Sequence, residues 1–106
     1  MRKLKIYCVT DKILKNLENT NLILAGVGKD NFPSNYLTCN TKDNIFVKEK
    51  HYSELTFHYW FWKNMLDKNE DIWIGFCQKR RFWIKKEIEK KEINETNFNN
   101  SLLDTA

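Results

Sequence analysis

Apolar residues in this chain gather in three dense blocks of strand length and one longer periodic stretch, with polar segments between them. Leu4 to Thr10 (Leu-Lys-Ile-Tyr-Cys-Val-Thr) is rich in β-branched and aromatic residues and predicts a first strand. Thr10-Asp11-Lys12 is the loop at its end. Asp11 is placed to cap a short helix over Lys12–Leu17, where Ile13, Leu14 and Leu17 share a face. Leu22 to Val27 is a continuous apolar run, as expected for a strand covered on both faces. Gly28 to Asp43 carries Pro33 and several Asn, Asp and Ser residues and predicts a loop.

The periodic stretch is Tyr52 to Leu66. Leu55, Tyr59, Trp62 and Leu66 fall at spacings of four, three and four, which predicts a helix with one stripe along it and Ser53 as its N-cap. The aromatic block Tyr52, Phe57, Tyr59, Trp60, Phe61 and Trp62 reads mostly as core. A turn at Asp67–Glu70 leads to a third buried strand, Asp71 to Cys77, ending in Gln78-Lys79-Arg80-Arg81. Ile84 to Ile93 reads as a charged, solvent-exposed helix, and residues 94–106 as a polar, frayed tail. The alternation of strands and helices predicts an α/β three-layer sandwich, with residues 1–93 forming one domain. In such folds ligands sit at the C-terminal ends of the strands. That rule puts Thr10-Asp11-Lys12, Gly26-Val27-Gly28 and Gln78-Lys79-Arg80-Arg81 on one rim.

Composition narrows the chemistry. The 106 residues carry 18 Lys and Arg against 14 Asp and Glu, a net +4. The excess crowds into Lys79, Arg80, Arg81, Lys85, Lys86, Lys90 and Lys91, which suggests an anionic partner. Arginine offers a planar fork of donors suited to paired phosphate oxygens. The same residues also fit a solvated basic turn or guanidinium stacking on Phe82 or Trp83. Nucleic-acid binding is disfavoured, because Glu87, Glu89 and Glu92 dilute the positive field.

Cys8, Cys39 and Cys77 include no CxxC pair, so they predict free buried thiols rather than a zinc site or a disulfide framework. No apolar run reaches the roughly 20 residues needed to span a bilayer, and the N-terminus lacks a signal-peptide pattern. A cytoplasmic location is therefore expected. His51 and His58 read as structural or exposed. No GxGxxG, GxxxxGK[ST], GxSxG or HExxH motif is present. Asp43-Asn44 and Glu54 are isolated polar residues that ordinary turns and caps also use.

Taken in order, four segments resemble a known family. They are Lys5-Ile6-Tyr7-Cys8-Val9-Thr10-Asp11-Lys12, Lys42-Asp43-Asn44-Ile45, Tyr52-Ser53-Glu54-Leu55-Thr56 running into Tyr59-Trp60-Phe61-Trp62-Lys63-Asn64, and Asp71-Ile72-Trp73-Ile74-Gly75-Phe76-Cys77-Gln78-Lys79-Arg80-Arg81-Phe82. Together they resemble a bacterial domain family, long of unknown function, found in capsular and exopolysaccharide biosynthesis glycosyltransferases. The resemblance implies a partial GT-A-like (Rossmann-like) nucleotide-diphospho-sugar-binding fold, a UDP-linked donor and a glycan acceptor. It places Thr10, Asp11 and Lys12 near the nucleotide and Arg80 and Arg81 near the diphosphate. Asp43, Asn44 and Glu54 match the family's polar positions. The family's domains are longer, so this chain is expected to be their N-terminal half, acting with a partner transferase or a second copy. Gln78-Lys79 stands where the family has His-Tyr. No Asp-x-Asp is present, and the sequence assigns no ligands for the manganese or magnesium that such a fold would take. A non-catalytic interaction or regulatory module that keeps the fold is the alternative.

Overall fold

A computed structural model describes residues 3–28, 31–66, 70–79 and 81–103. Arg80, the side chains of Val47 and His51, and most of the turn expected at 67–70 lie outside the described residues. Four strands form one parallel sheet: β1 (Lys3–Thr10), β2 (Ile23–Gly26), β3 (Leu37–Thr38) and β4 (Ile72–Gln78). Their order is β3-β2-β1-β4. β1 is central, and its last five residues are all buried, as a strand covered on both faces requires.

From β1 the chain steps outward to β2 and β3, then crosses back over both to β4. Crossovers of one hand taken in opposite directions fall on opposite faces of the sheet. α2 (Leu55–Asn64) covers one face, where Tyr7, Val9, Ala25, Val27 and Cys39 meet Phe57, Trp60 and Phe61. The other face buries Ile6, Cys8, Leu17, Leu24, Tyr36 and Cys77 under a 3-10 turn (Lys15–Leu17), the segment around Phe32 and the C-terminal residues. The fold is thus mixed α/β with both faces covered, the second layer being mostly irregular.

Several expected elements take another form. The Lys12–Leu17 helix shrinks to the 3-10 turn, which has no side-chain cap. Tyr36 accounts for part of this, since its hydroxyl accepts from the Leu14 amide at 3.0 Å and holds the segment by a long-range bond. The Gly28–Asp43 loop contains the two-residue β3, too short to leave a pattern. The long helix is divided into α1 (Glu49–Tyr52) and α2, with Ser53 between them at φ +49°. Ser53 therefore ends α1 instead of capping α2, whose N-cap is Glu54.

The helix expected at Ile84–Ile93 contains only a 3-10 turn, Lys90–Glu92. Its backbone is committed elsewhere: Ile84 bridges Leu102, and the Lys85 amide donates to the Ser101 carbonyl at 2.9 Å. The expected frayed tail instead returns to the sheet through α3 (Phe98–Ser101), burying Ser101 and Leu102 and setting Phe98 edge-on to Phe82.

Candidate functional site

Parallel pairing brings the C-terminal ends of the strands to one edge. Thr10 is in register with Gly26, Gly26 with Thr38, and Val9 with Gln78. The strand order reverses between β1 and β4, so the connections leaving these two strands diverge and open a crevice between them. The three segments expected on one rim do converge there, Arg80 lying outside the described residues.

Two adjoining cavities occupy this edge, with Val9, Glu54 and Gln78 in the walls of both. The first, about 300 Å³, is polar and is lined further by Thr10, Asp11, Val27, Ser53 and Lys79. The second, about 330 Å³, is mostly apolar, with His58, Phe76, Cys77, Phe82 and Trp83 around Arg81. Hydrogen bonds hold the shared wall. Gln78 Nε2 donates to Glu54 Oε1 at 2.9 Å, tying the end of β4 to the start of α2. Lys79 Nζ donates to Asp11 Oδ1 at 2.6 Å and joins the β1 and β4 loops across the crevice. That bond, above all, holds the Asp11 carboxyl below the usual carboxylate range, against the opposing effect of burial.

The chain doubles back just past the end of β4. Gln78 and Arg81 exchange backbone hydrogen bonds, both 3.1 Å, so Arg81 turns back toward the sheet. Trp83 Nε1 then donates to the Phe76 carbonyl at 2.9 Å and closes the apolar cavity on that side. On α2, His58 stacks on Phe76 with ring centroids 4.5 Å apart. Burial lowers its imidazole pKa, with Glu54 opposing, so the ring is neutral at physiological pH.

Thr10, Asp11, Glu54 and Arg81 therefore share the site. Lys12 lies just outside it, exposed, its backbone engaged with the Thr10 hydroxyl, which donates to the Lys12 carbonyl at 2.8 Å. Asp43 and Asn44 line neither cavity. Asp43 accepts from Tyr59 Oη at 2.9 Å, its carbonyl accepts from Asn64 Nδ2, and Asn44 makes a local turn by accepting from the Phe46 amide. Asp43 thus fastens the preceding loop to α2, and Asn44 shapes that loop locally. Gln78, expected on the rim, does line it, and His58 and Trp83, expected to be structural or stacking residues, also enter the cavity wall. His58 lies four residues after Glu54, which puts the two on one helix face.

Among the described residues no group of three or more His, Cys, Asp or Glu is placed to hold a metal ion, and no helix is long and apolar enough to cross a membrane. The polar cavity presents hydrogen-bonding and charged side chains from Thr10, Asp11, Ser53, Glu54, Gln78 and Lys79. A family model described as a domain of unknown function, DUF4422, matches residues 5–106. The chain belongs to the DUF4422 family. No curated protein and no solved structure gives a match. The DUF4422 match extends past Trp83 through the C-terminal segment that packs under the sheet.

Proposed function

We propose that this domain binds a nucleotide-diphospho-sugar and belongs to a glycosyltransferase of capsular or exopolysaccharide synthesis, in a GT-A-like arrangement. One observation carries the reading: a two-part crevice at the point where a parallel sheet reverses its strand order, polar on one side and aromatic on the other. Lys79 and Arg81 offer cationic donors for a diphosphate, with Arg80 beside them in the chain. Thr10, Asp11 and Glu54 offer acceptors for hydroxyl groups. The aromatic side has room for a flat ring. In transfer, negative charge builds on the leaving diphosphate, and fixed cationic donors that meet it lower the barrier.

The test is ligand-observed NMR of the chain with UDP-, GDP- and CMP-linked sugars, each with and without manganese. Saturable binding of a UDP- or GDP-linked sugar is expected, with the CMP-linked sugar, which has a single phosphate, as the control, and Arg81→Ala should abolish it while the circular dichroism spectrum is kept. A folded chain that binds none of them overturns the reading.

A second reading, a non-catalytic module that pairs with another copy, is favoured by the exposed Leu55, Trp62, Met65 and Leu66 on and just after α2, and by Trp73 on β4. Sedimentation as a dimer, without donor binding, would favour it.

A further inference from the structure

Cys8 on β1 and Cys77 on β4 stand directly opposite each other in the sheet register and share one buried cluster. Cross-strand neighbours lie about 4.8 Å apart, inside the Cα separation of about 4.4–6.8 Å that a disulfide accepts. Residues in register on parallel strands project to the same face, so the two thiols point together. Cys39, the third cysteine, faces the opposite layer, where its thiol lies 3.8 Å from the Thr56 hydroxyl. Cys77 also forms part of the apolar cavity wall, whereas Cys8 is fully buried.

We infer that Cys8 and Cys77 form an oxidisable dithiol, a modification site in which hydrogen peroxide entering through the apolar cavity converts the pair to a cross-strand disulfide. The inference rests on the sheet register and the cavity, not on the nucleotide-sugar reading. The order of attack follows from the environment. Cys77 lines the cavity and meets the peroxide first, whereas Cys8 lies fully buried. The Cys77 thiolate attacks one peroxide oxygen, forming an S–O bond as the O–O bond breaks. The departing hydroxide takes up a proton and leaves as water. The Cys8 sulfur then attacks the Cys77 sulfenic acid, forming the S–S bond and displacing hydroxide, which combines with the Cys8 proton as a second water. Two thiols are oxidised and one peroxide is reduced to two waters. The bridge falls one residue before Val9 and Gln78, which line both cavities, so it locks the two strands at the base of the crevice.

The test treats the intact folded chain with hydrogen peroxide, removes the peroxide with catalase, unfolds the chain, alkylates the remaining thiols and maps the peptides by mass spectrometry. Alkylation is expected to be lost at Cys8 and Cys77 together, with a peptide linking them that is lighter by two hydrogens than its parts and is restored by dithiothreitol. Cys39 is expected to stay alkylated, and Cys39→Ser to give the same link. Recovery of all three cysteines alkylated, linkage through Cys39, or Cys77 ending as sulfinic acid without a link would each overturn the inference.

Discussion

His58 shows how one side chain reports on its surroundings. Its ring is stacked on Phe76 and half-buried in the apolar cavity wall, so charging it means hydrating less of it than in the unfolded chain. The folded pKa is lowered, so the stability carried by the neutral ring is present above the ordinary value of about 6.5. It is lost as pH falls through the lower folded value. The urea midpoint should accordingly drop between pH 7.5 and pH 5.5 in the wild type and drop less in His58→Phe, which keeps the stacking. Equal drops would show that the ring is not desolvated. The Asp11–Lys79 pair acts differently. With the Asp11 side chain 51% exposed, solvent screens the attraction, and its net worth is about 1 kcal/mol or less. Its part is to hold two loops in register across the crevice.

At the scale of the element, α2 buries only part of its aromatic block, and the Leu55, Trp62 and Leu66 stripe is not the inward one. Leu55, Trp62 and Leu66 are exposed, whereas Thr56, Phe57, Trp60 and Phe61 are buried against the sheet. Both sets recur at helical spacing, because the segment is apolar almost all round, and the pattern of 3.6 cannot choose between two apolar stripes. What decides is the sheet: Tyr7 lies 4.7 Å from Phe61 and 5.9 Å from Phe76, forming an aromatic layer that only the Phe57 and Phe61 face can complete. The outer rings find partners among themselves, Trp62 lying edge-on to Tyr59 with Lys63 Nζ 4.2 Å above it. Phe57→Ala is therefore expected to cost about 3–5 kcal/mol in chemical denaturation. The exposed Leu55→Gln should stay within about 0.5 kcal/mol of the wild type. Comparable losses at both positions would contradict the assigned face.

On the scale of the whole molecule, the second face of the sheet is closed by segments with little regular structure of their own. Leu17, Phe32, Tyr36 and Phe98 reach it from three separate stretches of chain, and Leu102 is buried beside Ile84. Phe32 shows how close the approach is, since its ring lies within 2.5 Å of where a side chain on Gly26 would begin. The C-terminal segment is thus part of the core and not an appendage. Leu102→Ala should lower stability by about 2–5 kcal/mol, measured as a shift of the denaturation midpoint. An unchanged midpoint would detach residues 97–103 from the fold.

The sequence by itself determined the three principal strands, the α/β class and the rim on which Thr10, Asp11 and Arg81 meet. Dense β-branched and aromatic runs have few other ways to satisfy their backbone and bury their side chains, and parallel strands put their C-terminal ends together. Tertiary structure alone decided β3, the inward face of α2, the return of the polar C-terminal segment and the departure of Asp43 and Asn44 from the crevice. It also set Cys8 against Cys77 and His58 against Phe76. Each of these depends on contacts between residues far apart in the chain, where local periodicity and propensity carry no information about which surface a segment will meet.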